Sequence, residues 1–442
     1  MDFFSDVVLV GRGIGMGKNI VFHIDVNSAF LSWSAAYKVN ILGAKLDLRE
    51  IPAIVGGDQE SRHGIVLAKS MPAKRFDIQT GEAIITAQQK CPGLIVIPPD
   101  YHLYVTASRA LMELLNKYSD NVLQYSIDEA WAEFEGFEGL YGGIVGFAND
   151  LREEIRRELG FTVNIGVSGN KLLAKMAGDF KKPDFVHTLF SWEIEQKMWP
   201  LPVGHLFFVG RATEKKLHTL GIHTIGELAK TDVLILRQHL KKQGEIIWNY
   251  ANGIDLLPYL YQTEANKGYG NSMTAPRDIV DIGYARQILL SLCETIGMRL
   301  RADKVKISCV AVSITTCLFE RSSKQMTLQS ATDITEEIYR STCIVFDRLW
   351  NGISSIRQIG VHTSKVSEDQ MRQYHLFDMI SYDKMECCNK AIDEIRKKYG
   401  EDSVMRAGFL SADIGHIGGG LDRERRTGIT TGISLEKELQ LS

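Results

Sequence analysis

The sequence predicts an α+β chain of several domains, and three observations lead to that class. First, a short apolar run that ends in an acid, Ile20-Val21-Phe22-His23-Ile24-Asp25-Val26-Asn27, runs straight into the helix-like Ser28-Ala29-Phe30-Leu31-Ser32-Trp33-Ser34-Ala35-Ala36-Tyr37. Second, apolar residues flank a bare acid pair in Gln124-Tyr125-Ser126-Ile127-Asp128-Glu129-Ala130-Trp131-Ala132-Glu133-Phe134, the pattern of a β-hairpin with two carboxylates at its tip. Third, helical patterns over 101–118 and 144–159 bracket that hairpin, and Phe161-Thr162-Val163-Asn164-Ile165-Gly166-Val167-Ser168 follows as a strand. Helix, hairpin, helix and strand beside the Asp25 strand predict an antiparallel sheet with helices on one face.

At 442 residues the chain has room for two to four domains with ample core. A net charge of −3 and a pI near 6.4 do not advertise a nucleic-acid binder, although a local basic groove can coexist with an acidic site. Seven cysteines, with no C-x-x-C, suit a reduced cytosolic protein rather than a disulfide scaffold. No apolar run approaches about 18 residues, so no membrane span is expected. The opening residues 1–18 hold Gly11-Arg12-Gly13-Ile14-Gly15-Met16-Gly17-Lys18, but Asn19 stands where a phosphate loop needs Ser or Thr, so they read as a leader.

The acids set the chemistry. Adjacent carboxylates at Asp128 and Glu129 repel and raise each other's pKa unless a cation sits between them, which points to a divalent metal; a solvated surface pair is the plainer alternative. If the Asp25 strand lies beside the hairpin, Asp25, Asp128 and Glu129 converge on two Mg²⁺ ions roughly 3.5–4 Å apart, the clamp used for in-line phosphoryl displacement.

Between Val39 and Pro98 the pattern is a small mixed unit, with strands at 51–57 and 64–68. A helix opens in Ser70-Met71-Pro72-Ala73-Lys74-Arg75-Phe76, with Pro72 in its first turn. Cations at a helix start suggest an anion there, a triphosphate for instance, or simply two solvated charges. Gly169-Asn170-Lys171-Leu172-Leu173-Ala174-Lys175 opens another helix, with Lys171 and Lys175 on one face and Lys181-Lys182 closing it as ordinary dipole complements. Residues 201–228 read as helices broken at Gly turns, resembling a helix-hairpin-helix module in which backbone amides near Gly210 bind phosphate and Arg211 adds charge.

Lys267-Gly268-Tyr269-Gly270-Asn271-Ser272 reads as a linker, followed by strands at 305–315 and 354–363 and helices at 284–301 and 334–350. Over 272–366, 12 Lys/Arg stand against 9 Asp/Glu, a small excess of three; on its residues alone this stretch is an α+β domain, and only its location favours contact with DNA. The tail holds a helix at 388–399 and a Gly-rich basic turn at 418–426, whose roles are open between DNA contact and solvation.

Asp25-Val26-Asn27-Ser28-Ala29-Phe30, Tyr125-Ser126-Ile127-Asp128-Glu129-Ala130 and Gly169-Asn170-Lys171-Leu172-Leu173-Ala174-Lys175 with Lys182-Pro183 together resemble the motifs of Y-family DNA polymerases, the translesion enzymes. The likeness runs from about 19 to 408. It implies a right-hand polymerase with a ferredoxin-like palm (19–28 and 96–185), small fingers (29–95), a helix-hairpin-helix thumb (186–258), a linker (259–271), an α+β little finger (272–366) and a tail (367–442). It further implies Asp25, Asp128, Glu129 and the Val26 carbonyl as ligands of two Mg²⁺ ions, and Phe30 as an aromatic gate beneath the sugar, a ring that would otherwise be plain core. Ser28, Ala29, Phe30, Met71, Lys74 and Lys182 would contact the incoming dNTP. Met71 stands where the family's polymerase IV type has Tyr, and Lys74 where it has Arg, so a point charge replaces a bidentate fork.

Gln373-Tyr374-His375-Leu376-Phe377 resembles the bacterial sliding-clamp peptide, with Leu376 and Phe377 entering an apolar pocket and Gln373 hydrogen-bonding beside it. The resemblance implies a monomeric, cytoplasmic, low-fidelity enzyme of DNA damage and repair, a mutator that extends primer-template DNA. Two rivals are a nucleotide cyclase, which shares the metal layout but does not need the Gly210 module or the Gln373 peptide, and a weakly active polymerase-shaped DNA and clamp adaptor.

Overall fold

The computed structural model describes residues 19–57, 64–135, 143–256, 266–369, 382–410 and 412–418. The leader 1–18, the peptide residues Gln373, Leu376 and Phe377, and nearly all of the Gly-rich turn lie outside them. The described residues form two compact units, 19–57 with 65–256, and 266–418.

The elements of the first unit are β1 (Asn19–Val26), α1 (Ala29–Asn40), β2 (Ala53–Gly56), β3 (Val66–Lys69), α2 (Met71–Lys74), α3 (Ile84–Lys90), β4 (Ile95–Ile97), α4 (Tyr101–Asn116), β5 (Val122–Gln124), β6 (Glu129–Glu135), α5 (Ile144–Leu159), β7 (Val163–Ser168), α6 (Lys171–Gly178), β8 (Val186–Thr188), α7 (Arg211–Thr219), α8 (Ile225–Lys230), α9 (Val233–Leu240) and α10 (Lys242–Ala251). The main sheet has the order β5-β6-β1-β7-β8, with β1 antiparallel to both β6 and β7 and β8 parallel to β7.

A strand in the middle of such a sheet is covered on both faces, which is why every β1 residue from Val21 to Val26 is buried, the polar His23 and Asp25 included. Phe22, Ile24 and Val26 enter a core with Leu111 and Leu114 of α4 and Phe147 and Leu151 of α5. The alternate side chains, Val21, His23 and Asp25, turn to the opposite face. That second face is not bare, as helices on one face alone would leave it, because α6 lies across it. It comes so close that a Cβ on Gly166 would stand 1.9 Å from the Ala174 carbonyl oxygen and 2.4 Å from the Gly178 nitrogen. Gly166→Ala must therefore push α6 off the sheet, at roughly 1–3 kcal/mol or more; a denaturation midpoint equal to wild type would contradict this packing.

A smaller sheet, β3-β2-β4, closes over Ile54, Val66, Ile78 and Ile84, while Leu31 and Ala35 of α1 pack beneath Ala53 and Val55. From α7 to α10 the chain is helical around Leu217, Ile225, Leu228, Leu236 and Ile247. Gly221, at φ +77°, ends α7 in the left-handed conformation that glycine adopts without strain.

The second unit holds β9 (Gly270–Ile279), α11 (Ile282–Ala302), β10 (Lys306–Thr316), β11 (Arg321–Thr332), α12 (Thr335–Leu349), β12 (Ile356–Ser367) and α13 (Tyr382–Tyr399). Its sheet runs β11-β10-β12-β9 with every pair antiparallel, and Ile288, Leu292 and Ile296 of α11 and Phe346 of α12 cover one face. The residues read as a linker at 267–272 already enter β9, which pairs Ser272 with Gly360.

The described residues of the tail are docked within the second unit. Glu294 on α11 accepts from Arg396 of α13 at 2.8 Å and from Arg406 at 2.5 Å, and Arg406 also reaches Glu336 at 2.6 Å. The hydroxyls of Ser291 and Thr295 donate to the carbonyls of Gly415 at 2.6 Å and Gly418 at 2.7 Å. Among the described residues no helix is long and apolar enough to cross a membrane.

Candidate active site

The end of β1 carries the site. Asp25 faces Glu129 across the β1–β6 pair, and the Val26 amide donates to the Asp128 carbonyl at 3.0 Å, so Asp25 and the adjacent pair Asp128-Glu129, far along the sequence from it, meet at one sheet end. Asp128, at the hairpin tip, accepts through Oδ1 from the Ser126 hydroxyl at 2.7 Å. The chain then turns from strand to helix at Ser28, a non-glycine residue held at φ +52°, and α1 begins with no side-chain cap on its first amides.

The buried Asp25 and the half-buried Glu129 each face a lysine. Asp25 is 6 % exposed, and burial raises its pKa despite the ammonium of Lys182 bonded to its Oδ2. Lys182 also reaches Asp179 at 2.8 Å; burial opposes its charge, but the two carboxylates outweigh that and push its pKa up. Glu129 takes Lys175 through both oxygens, at 2.9 and 3.0 Å. Burial works against its ionisation, yet His23 and Lys175 prevail and hold the carboxyl down at about 2. The His23 ring, 3.9 Å away, is an electrostatic neighbour rather than a hydrogen-bond partner. Lys175 is itself buried, with the rings of Tyr125 and Phe207 at 5.5 and 5.4 Å.

A cavity of about 830 Å³ opens beside these groups, lined by Asp25, Val26, Ser28, Ala29, Phe30, Met71, Lys74, Asp128 and Lys182 among others. Glu129 does not line it, because its carboxylate is drawn onto Lys175. Lys69 lines the same wall as Lys74 and Lys182. Burial, and then the charges of Lys69 and Lys182, lower the Lys74 pKa, the signature of a wall that wants an anion. The expected cations at a helix start are corrected: α2 is a single turn capped by Ser70, whose Oγ accepts from the Ala73 amide, and Lys74 ends it, where the helix dipole favours a cation. Likewise α6 ends at Gly178, so Lys182 stands past the helix rather than closing it.

Phe30 lies flat against Tyr104, with ring centroids 4.4 Å apart at 4°, and the Tyr104 hydroxyl is 3.1 Å from that of Ser34. Gly210 and Arg211 are not among the cavity residues; Gly210 caps α7 at φ −88° with open space around it, a conformation that any residue adopts.

The donor chemistry fits a hard divalent cation: three carboxylates and a backbone carbonyl at one sheet end, with two ammonium groups holding the positive charge. Among the described residues, no three His, Cys, Asp or Glu side chains stand close enough to hold an ion as they are. Lys182 holds Asp25 and Lys175 holds Glu129. Sequence reasoning missed the contributions of Lys69, Tyr104 and Lys175. The one legible sign was Lys175, a lysine within the otherwise apolar stretch Leu172–Ala177.

Sequence models of the impB/mucB/samB family match residues 24–179, those of its C-terminal domain match 266–376, and a DNA polymerase-iota thumb-domain model matches 206–255. The chain is 42 % identical over 397 residues to a DNA polymerase IV of Clostridium acetobutylicum, covering 90 % of this chain and 99 % of that one. It is 36 % identical over 403 residues to a DNA polymerase IV of Acetivibrio thermocellus, covering 90 % and 99 %. With DNA polymerase IV 2 of Bacillus subtilis the identity is 32 % over 405 residues, covering 90 % and 96 %. A solved Y-family DNA polymerase chimera superimposes with a TM-score of 0.65 at 20 % identity, covering 79 % of this chain and all of that one, which is a likeness of fold. Relatives this similar over nearly their whole length place the chain in a family: it belongs to the Y-family DNA polymerases.

Proposed function

We propose that this protein is a template-directed DNA polymerase that adds deoxynucleotides to a primer 3′ end, with the low fidelity and damage tolerance of translesion synthesis. The observation that supports it most is the convergence of Asp25 and Asp128 on a cavity with a lysine-rich wall. Asp25, Asp128 and Glu129, with the Val26 carbonyl, would hold two Mg²⁺ ions. When bound, these supply Lewis acidity at the attacking oxygen and charge neutralisation at the leaving pyrophosphate.

The chain's own residues position the reactants. Lys74 and Lys182, with Lys69 beside them, would take the triphosphate, and the uncapped amides at the start of α1 offer it further donors. A triphosphate carries a denser negative charge than the two carboxylates, Asp25 and Asp179, that Lys182 now holds. Phe30, its ring set by the stack on Tyr104, would floor the sugar and exclude a ribose 2′-hydroxyl. Phe30→Ala is expected to raise ribonucleotide incorporation relative to deoxyribonucleotide by roughly 10–200-fold, the range that apolar shape exclusion supplies; an unchanged ratio of kcat/KM values would remove Phe30 from that role.

The α7 N-terminus at Gly210, with Arg211, would hold DNA phosphate without reading sequence, and Gln373, Leu376 and Phe377 would engage the sliding clamp. The test of the function is extension of a primed template by the purified chain with four dNTPs and Mg²⁺, on undamaged and abasic templates. Extension that EDTA stops is the expected result. Cyclic nucleotide release without extension, or no product at all, would overturn the reading.

A further inference from the structure

We propose that Asn27 and Thr162 are a pair of positioning residues that aim the Val26 carbonyl, and so set the affinity of the acid cluster for a divalent cation; the inference rests on the metal-dependent reading above. The peptide joining Val26 to Asn27 carries the Val26 carbonyl on one edge and the Asn27 N–H on the other. That N–H donates to the Thr162 carbonyl at 3.0 Å, which fixes the plane of the peptide. In a trans peptide the two groups point in opposite directions, so the Val26 carbonyl is sent away from Thr162 and toward the β6 side, where Asp128 stands.

The side chains reinforce this pin. Asn27 Nδ2 donates to Thr162 Oγ1 at 3.2 Å, and the Ser32 hydroxyl donates to the Asn27 carbonyl at 2.5 Å. Three bonds thus converge on the residue between the metal-site carbonyl and the left-handed Ser28, a conformation that serine holds only when its surroundings impose it. Asn27 is 9 % exposed and lines the cavity, and its Oδ1 is buried without a hydrogen-bond partner. An unpaired buried amide oxygen is costly, so packing alone would be better met by an apolar residue. What the asparagine supplies in exchange is the Nδ2 bond to Thr162.

The test compares Thr162→Val, which removes the hydroxyl at nearly constant volume, with Thr162→Ser, which keeps it. Binding of Mn²⁺ to the full chain is followed by electron paramagnetic resonance, and the Mg²⁺ concentration for half-maximal extension by kinetics. Thr162→Val is expected to weaken Mn²⁺ binding by about tenfold, the low end for the loss of a group that orients a metal ligand. It should raise the Mg²⁺ requirement in parallel and leave the KM for dNTP unchanged, while Thr162→Ser behaves as wild type. Asn27→Ala added to Thr162→Val should cost no further affinity, because the two residues act through one bond. Equal Mn²⁺ affinity in the Val and Ser variants would overturn the proposal, whatever their melting temperatures. Failure of the wild type to extend a primer would count against the polymerase reading instead, since Mn²⁺ binding is read without substrate.

Discussion

Asp128→Asn is expected to abolish nucleotide incorporation while leaving primer-template affinity close to wild type. The substitution is nearly isosteric and keeps an oxygen to accept the Ser126 hydroxyl, now bonded at 2.7 Å, so the hairpin tip keeps its shape. What disappears is one negative charge beside Asp25, on the wall of the cavity. Removing a single preorganised group from a site that stabilises developing charge typically lowers the rate by about 10²–10³, and a lost metal ligand belongs at or beyond the upper end. Single-turnover extension beside a DNA-binding titration separates the two effects. A rate near wild type would remove Asp128 from the metal site, and an equal loss of DNA binding would point to misfolding.

The second large effect lies in the other unit. Glu294, 3 % exposed, holds both Arg396 and Arg406, so Glu294→Ala strips that carboxylate from the buried Arg396 guanidinium and from the partly exposed Arg406, which keeps Glu336. Breaking a buried pair from one side costs about 3–5 kcal/mol. For a unit of this size that lowers the melting temperature by roughly 10 °C. The exposed pair Arg286–Asp347, at 3.0 Å, is the control: Arg286→Ala should cost no more than about 1 kcal/mol. Similar melting curves for the two variants would show that the tail is not held by its ionic contacts.

The parts of the fold that were legible are those whose burial writes a period into the chain. The strand of Asp25, the acid hairpin, the helices near 101–118 and 144–159 and the strand at Val163 all carry apolar residues at the spacing their neighbours demand. β11 hid because its side chains are mostly solvated and polar, so no alternation marks it. β9 hid behind glycine, asparagine and serine, which read as linker.

The acids were found because Asp-Glu in a hairpin turn is chemically conspicuous. Their pairing with lysines was not legible: Lys182 reads as a nucleotide contact rather than as the partner of Asp25, and Lys175 meets Glu129 from 46 positions away, where a lysine on a helix looks solvated until the sheet it faces is known. The docking of Arg396 and Arg406 was equally hidden, since the helix at 388–399 shows no role until Glu294 is placed beneath it.

The position of β1 between β6 and β7 has a consequence for how the molecule is made. Asp25 leaves the ribosome early, but its neighbours in the sheet, at Glu129 and Asn164, are synthesised much later. Until then the first strand has no partner on either edge, and its apolar row is an aggregation hazard while translation proceeds. Catalytic competence therefore arrives late and all at once, with the closing of a long chain loop, and a nascent polymerase cut short before Ser168 carries its acids without a site to put them in.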